Sequence, residues 1–159
     1  MFHKKAFTLV ELLVAMAIIG VLIGLSLFGI AAAQRNARDT ARRAATQDIN
    51  AGTADYFSQT GSFPTGLGFN NDEVIITNPP ATTCTAGVTC VIVPLDGAAK
   101  IGTSGVLSGT GGQLGSRTTD TSSWCYAQQS DGYSLGVLLE SDEQFQAGTS
   151  ITDCTVTAN

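Results

Sequence analysis

A single carboxylate, Glu11, lies near the start of a stretch that is otherwise apolar. The stretch covers residues 7–33, and apart from glycine its only other polar members are Thr8 and Ser26. A lone carboxylate in hydrocarbon costs about 2.5 kcal/mol or more, and a cationic partner relieves that cost. The pattern therefore favours a directional ion pair at Glu11. The alternative is an interfacial carboxylate near lipid headgroups with no partner role.

Four cysteines form the second chemically informative group: Cys84, Cys90, Cys125 and Cys154. All four follow the apolar stretch, in a part of the chain that is predicted to be exported. An even number of cysteines in an exported region predicts two disulfides. Three pairings are possible, and the short loop in "CTAGVTC" favours Cys84–Cys90, which would leave Cys125–Cys154. Four reduced thiols are the first alternative. A zinc site is disfavoured because the sequence has no CxxC spacing.

Residues for catalysis or metal binding are scarce. The only histidine is His3, so a chain that loses its first few residues has no Ser-His-Asp, Cys-His or His-metal site. Asp142, Glu143 and Asp153 offer oxygen atoms for calcium, but they lack a defined loop spacing, and a solvated acidic loop is favoured. We therefore predict no enzymatic activity, no cofactor and no metal.

The charges are unevenly distributed along the chain. From residue 60 onward nine acidic residues face only two basic ones, which makes this region a poor binder of nucleic acid. Four arginines follow the apolar stretch at positions 35, 38, 42 and 43, and Asp39 is four residues from both Arg35 and Arg43. This spacing predicts two i,i+4 ion pairs. The arginines fit a solvated helix face, contact with lipid headgroups, or contact with neighbouring subunits.

The apolar stretch is long enough to be a membrane-spanning helix. Its 27 residues would extend about 40 Å at 1.5 Å per residue, more than the roughly 30 Å of a hydrocarbon core. Lys4 and Lys5 before it predict a cytoplasmic N-terminus. Cleavage of an ordinary secretory signal at Ala31–Ala33 is disfavoured, because the run is too long and the helical pattern continues through it.

The helix is predicted to continue to about residue 59. Apolar and small residues recur there at spacings of three and four, at Ala37, Ala41, Ala45, Ile49, Gly52 and Tyr56. Gly61 suits a C-terminal cap, and Pro64 prevents further helix. The sequence therefore predicts one helix of roughly fifty residues, although typical globular helices have about 8–20.

Beyond the helix, β-like runs occur at residues 73–78, 90–95, 124–129 and 133–140. The tripeptide "SDG" predicts a hairpin turn between the last two, and the Gly/Ser/Thr-rich residues 97–123 predict an extended surface loop with room for a short strand or a helical turn. We therefore predict an α+β fold in which the second half of the helix packs on a small antiparallel sheet of about four strands. The predicted core residues are Ile49, Tyr56, Phe57, Phe63, Ile75, Val91, Val93, Trp124, Tyr126, Leu135, Val137 and Leu139.

The opening "KKAFTLVELLVAMAIIG" resembles the class III signal peptide of type IV pilins and the related type II secretion pseudopilins. Phe7, Thr8, Leu9, Glu11 and Leu12 fall in the family's places, whereas Ala6 stands where glycine is usual. The apolar helix also lacks the proline that many pilins carry. The segment "YFSQTGSFPT" looks like the family's helix end, and the resemblance implies the pilin fold.

This resemblance implies a processing route and a role for Glu11. A prepilin peptidase would cut between Ala6 and Phe7 and methylate the new amino terminus of Phe7. The new ammonium would pair with Glu11 of its own chain or of an adjacent subunit, and so set the assembly register. The implied divisions are a leader at 1–6, a transmembrane and filament-core helix at 7–33, and a globular head at 34–159.

The function implied is that of a structural subunit of a type IV pilus, a filament that serves adhesion, twitching motility or DNA uptake. Its partners would be further copies of itself, the prepilin peptidase and the pilus assembly machinery. It would lie in the cytoplasmic membrane before assembly and on the cell surface afterwards. The alternatives are a type II secretion pseudopilin and, more remotely, a membrane-anchored exported enzyme. Direct nucleic-acid binding by this subunit is not predicted.

Overall fold

The computed structural model describes residues 7–100, 104–115, 123–141 and 143–149 of the 159-residue chain. The chain divides into two units, residues 1–36 and residues 37–159. One helix, α1 (Leu9–Thr60), contributes to both units. It ends where the sequence predicts, at a glycine: Gly61 has a φ of +74°, and its N–H donates to the carbonyl oxygen of Phe57 at 2.8 Å. Glycine adopts this left-handed conformation at little steric cost.

The first unit is the apolar part of α1. Every large apolar side chain that the structure describes in residues 7–36 is at least 49% exposed, and Leu9 reaches 80%. The one hydroxyl in the middle of this segment, on Ser26, donates to the carbonyl oxygen of Leu22 at 2.8 Å. By length and composition alone the helix could cross a membrane. A signal sequence would pass the same test.

The second unit, residues 37–159, is the head of the protein, and it contains two antiparallel sheets. The first sheet has the strand order β3-β2-β1-β4, and a short 3-10 helix (Gly97–Ala99) separates β3 from β4. Its strands are β1 (Gly66–Asn70), β2 (Glu73–Thr77), β3 (Cys90–Pro94) and β4 (Gly105–Ser108). Strands β1 and β2 form a hairpin in which Asn70 pairs with Glu73, so the intervening turn has only two residues.

The second sheet has the strand order β5-β6-β7-β8. Its strands are β5 (Thr110–Leu114), β6 (Ser123–Gln129), β7 (Gly132–Leu138) and β8 (Gln144–Gly148). Strands β6 and β7 pair from Gln129↔Gly132 to Ser123↔Leu138, so the predicted turn at Ser130 and Asp131 is present. Strands β5 and β6 shift register between Thr110 and Gln113.

One hydrophobic core joins the second half of α1 to both sheets. Nine of the twelve predicted core residues are buried: Ile49, Tyr56, Ile75, Val93, Trp124, Tyr126, Leu135, Val137 and Leu139. Phe63 and Val91 are half-buried and pack against the cluster. The prediction for Phe57 is wrong, because this ring is 40% exposed and stacks on Phe63 from outside the core.

The small residues of α1 allow the helix to approach the first sheet closely. A Cβ atom at Gly52 would lie 2.6 Å from Cγ2 of Val93 and 3.0 Å from Cδ1 of Ile76. Ala45 and Ile49 are buried on the same stripe, whereas Ala37 at its start is exposed. The predicted stripe therefore contacts the core over its second half.

The α+β layout is confirmed, but the predicted number of strands is wrong, since the described residues form eight strands. All four predicted strands are present. The additional ones are β1, β4, β5 and β8, and two of these lie within residues 97–123, where we expected a surface loop with no more than a short strand or a helical turn. Strand β1 was not predicted because glycine lowers strand propensity. Gly68 has a packing role there, since a Cβ atom at this position would lie 1.7 Å from the carbonyl oxygen of Ala81.

Candidate assembly site

Thr8 and Glu11 form a reciprocal cap at the start of α1. The backbone N–H of Thr8 donates to Oε2 of Glu11 at 3.0 Å, and the backbone N–H of Glu11 donates to Oγ1 of Thr8 at 3.3 Å. The Thr8 hydroxyl also donates to Oε2 of Glu11 at 2.8 Å. This arrangement is a capping box, in which a Ser or Thr N-cap and a Glu three residues later satisfy two free helix N–H groups.

The capping role of Glu11 was missed in the sequence analysis, although Thr-x-x-Glu before an apolar run is its signal. Phe7, the residue after the predicted cut, precedes the helix and is 79% exposed. Ala6 lies outside the described residues. The pairing of Glu11 with a new amino group on Phe7 therefore stays a prediction.

A different group of charges fixes α1 to the segment between β7 and β8. The guanidinium of Arg38 forms a bidentate salt bridge with the Glu140 carboxylate, in which Nη2 donates to Oε2 at 2.8 Å and Nε donates to Oε1. Nη2 of Arg42 also lies 3.4 Å from Oε1 of Glu140. Bidentate Arg–carboxylate pairs fix the geometry of the contact in addition to providing electrostatic attraction.

Asp39 completes this cluster through backbone contacts. Its Oδ1 accepts the backbone N–H of Glu140 at 2.7 Å, and its Oδ2 accepts that of Ser141 at 3.3 Å. Oδ1 also lies 3.7 Å from Nη1 of Arg42. Since the side chain of Arg42 is fully buried, two carboxylates compensate a charge that water does not reach.

The two predicted i,i+4 ion pairs, Arg35–Asp39 and Asp39–Arg43, are wrong. Asp39 points into the head, and Arg43 instead pairs with Glu143 at 3.2 Å. The guanidinium of Arg43 also lies 5.9 Å from the ring centroid of Phe145, within cation–π range. Three of the four arginines therefore bind carboxylates of their own head. Helical spacing did not reveal this, because both glutamates come from about 100 residues later in the chain.

The structure contains the predicted Cys84–Cys90 disulfide. Cys125 is also disulfide-bonded, and its predicted partner, Cys154, lies outside the described residues. Asp142 and Asp153, considered above as calcium ligands, lie outside them too. Among the residues with described positions, no group of three His, Cys, Asp or Glu side chains could hold a metal ion.

Two tyrosines fix the second half of α1 and the segment that follows the helix to the second sheet. The hydroxyl of Tyr126 donates to the carbonyl oxygen of Pro64 at 2.8 Å, and that of Tyr133 donates to Oδ1 of Asn50. Burial raises the pKa of both hydroxyls, that of Tyr133 to about 12. Both tyrosines are therefore neutral donors at physiological pH.

Residues 1–27 match the model of a known protein family, which is described as the prokaryotic N-terminal methylation motif. This is the type IV pilin-family signal. The match includes Ala6, Phe7, Thr8 and Glu11, and it supports processing by a prepilin peptidase and anchoring in a membrane before assembly. No curated protein and no solved structure matches the chain.

Proposed function

We propose that the chain is a structural, non-enzymatic subunit of a type IV pilus that assembles into a surface filament. The observation that carries this proposal is the combination of the methylation motif with an exposed apolar helix. Residues 9–25 present large apolar side chains of at least 49% exposure. Lipid can cover such a surface first, and the same surface of other subunits can cover it after extraction.

The head supports the proposal because it needs no partner to close its own core. Its buried side chains form one main cluster, and Arg38 and Arg42 are neutralised by Glu140 and Asp39. Subunits would therefore be extracted with the head already folded. The free energy of assembly would come from packing of the apolar helices, and the gain over lipid is smaller than the gain over water because lipid tails already shield them.

The processing step is tested by mass spectrometry of the subunit in sheared surface filaments. We expect an N-terminus at methylated Phe7, and an N-terminus at Gln34 would contradict the proposal. Electron microscopy of the native host should show long surface filaments that disappear when the gene is deleted and return on complementation. Filaments that remain normal after deletion would favour the pseudopilin alternative.

The role of Glu11 in register is tested with two substitutions that separate capping from charge. Glu11→Gln keeps a side chain that can close the capping box with Thr8, but it cannot form an ion pair with the Phe7 amine. Glu11→Ala removes both functions. We expect both variants to accumulate in the membrane and to give few filaments. Normal filament numbers with Glu11→Gln would show that the charge is not needed.

A further inference from the structure

A polar cleft of about 400 Å³ lies in the head, between the end of α1 and the β6–β7 turn. One side is formed by Phe57, Ser62 and Phe63, and the other by Gln128, Ser130 and Asp131. All these residues belong to the second unit. The cleft is separate from the N-terminal motif and from the Arg38–Glu140 cluster.

An aromatic surface forms the apolar part of the cleft. The rings of Phe57 and Phe63 stack with their centroids 4.4 Å apart and an interplanar angle of 22°. The centroid of the Phe63 ring in turn lies 5.1 Å from that of Tyr133. Phe63 stacks on one face of Phe57, and Phe57 is still 40% exposed. The stack behind it holds the exposed ring in place, so Phe57 can act as a platform without reordering.

The polar part of the cleft consists of acceptors and negative charge. Asp131 is exposed, and its carboxylate forms no ion pair with a basic side chain among the described residues. The last turn of α1 contains no basic residue, so no cationic side chain of that turn offsets the partial negative charge of the helix C-terminus. Nε2 of Gln128 donates to the carbonyl oxygen of Phe63 at 3.1 Å, which leaves its amide oxygen as an acceptor.

We propose that this cleft binds a guanidinium group, that is, an arginine side chain. A guanidinium is planar, has only donors, stacks on aromatic faces and pairs with carboxylates. Phe57 would provide the stacking face, Asp131 the counter-ion, and Gln128 a further acceptor. An ammonium has the same charge but lacks the flat face, so lysine fits less well.

The arginine has two possible sources, which are another protein and a second copy of this chain. Arg38, Arg42 and Arg43 already have carboxylate partners in their own head. Arg35 is the one arginine of the described residues that has no ion pair, so it is the described arginine that a second copy would present. Arg117 lies outside the described residues. Binding in the cleft does not depend on the proposed filament, and only the assignment of the source rests on it.

Binding is tested with the full chain in neutral detergent and a short arginine peptide, with the same peptide carrying citrulline as the neutral isostere. We expect saturable changes in the NMR amide signals of residues 57–63 and 128–131 with the arginine peptide only. Asp131→Asn and Phe57→Leu should each weaken binding by about threefold to fivefold. Asp96→Asn, which changes an exposed acid outside the cleft, should have no effect. Equal binding of the citrulline peptide, or unchanged binding by Asp131→Asn, would overturn the proposal.

The source is tested by adding the same peptide to assembled filaments. If Arg35 of a second copy fills the cleft, wild-type filaments should bind little peptide, and Arg35→Gln filaments should bind it about as well as the detergent-solubilised chain. Equal binding by both filaments would exclude Arg35 of a second copy as the source, and the same comparison with Arg117→Gln filaments would then separate a second copy from another protein. If no filaments form, the proposed function fails, whereas the peptide result on the solubilised chain stands.

Discussion

The two units of this chain distribute their side chains in opposite ways. In residues 7–36 the described large apolar side chains face outward, with Leu25 at 68% exposure. In residues 37–149 the large aromatic Trp124 is fully buried, and the guanidinium of Arg42 is buried with it. The first unit therefore leaves its apolar surface for other molecules to cover, whereas the second unit buries most of its described large apolar side chains and the Arg42 guanidinium by itself.

This difference separates what assembly needs from what folding needs. Polar groups of the first unit are satisfied locally, through the Thr8–Glu11 cap and the Ser26–Leu22 contact. The head also contains polar contacts over long sequence separations, as between Arg38 and Glu140. Substitutions in the two units should consequently affect different measurements, and the following predictions test that separation.

The largest effect is expected at the buried ion cluster. Glu140→Ala should lower the free energy of unfolding of the head by about 3 kcal/mol, because it removes one of the two carboxylates that compensate the buried guanidinium of Arg42. Urea unfolding of the solubilised chain measures this change. The control is Glu143→Ala, which removes the more exposed pair with Arg43 and should cost about 0–1 kcal/mol. Equal costs would contradict the burial argument.

Two glycines of the same helix provide a matched comparison. Gly52→Leu should destabilise the head by about 2–3 kcal/mol, because its Cβ alone would lie 2.6 Å from Val93. Gly20→Leu should leave head stability unchanged, since nothing lies within 4 Å of a Cβ atom at that position. Thermal unfolding followed by near-ultraviolet circular dichroism measures both variants. A comparable loss of head stability in Gly20→Leu would contradict the conclusion that substitutions in the first unit leave the stability of the head unchanged.

Alkaline pH should weaken the head through Tyr133. Its pKa is raised to about 12 in the folded chain, against an ordinary value near 10. The stabilisation is therefore fully present below pH 10 and is lost as the pH rises towards 12. The loss should be about 1.4 kcal/mol per pH unit for this group within that window. Stability curves of Tyr133→Phe should be less steep between pH 10 and 12, and an unchanged slope would show that Tyr133 does not titrate there.

The smallest effect is expected at the N-terminal cap. Thr8→Ala should raise amide hydrogen exchange in residues 9–12 by about fivefold in detergent, because loss of an N-cap costs about 1 kcal/mol. Head stability should not change. Thr8→Ser keeps the hydroxyl and should exchange at the wild-type rate. If Thr8→Ala also exchanged at that rate, the capping box would not stabilise the helix start in solution.

Local patterns were sufficient to predict the helix and half of the strands. The helix end followed from Gly61 and Pro64, and the β6–β7 turn followed from "SDG", because both depend on residues adjacent in sequence. Strands β1, β4, β5 and β8 were missed since glycine and polar residues form them, and partners elsewhere in the chain stabilise them. Gly68 illustrates this point: it lowers strand propensity, yet only glycine fits beside Ala81.

The candidate sites divide in the same way. The motif around Phe7 and Glu11 was recognised because it is contiguous, and the family model matches the same residues. The capping box of Thr8 and Glu11 has a recognisable sequence signal, Thr-x-x-Glu, but it was not predicted. The Arg38–Glu140 contact and the cleft at Phe57 and Asp131 were not predictable, because each joins the helix to residues that are distant in the sequence.

The Cys84–Cys90 disulfide has a practical consequence. The five residues between the two cysteines, 85–89, are all exposed, and none of them belongs to the core. Their main-chain ends are tied together, so a foreign peptide placed between Thr85 and Thr89 would be held in a closed loop. If the subunit polymerises as proposed, every copy would carry that peptide, and the loop is where we would graft an epitope or an enzyme tag for regular display.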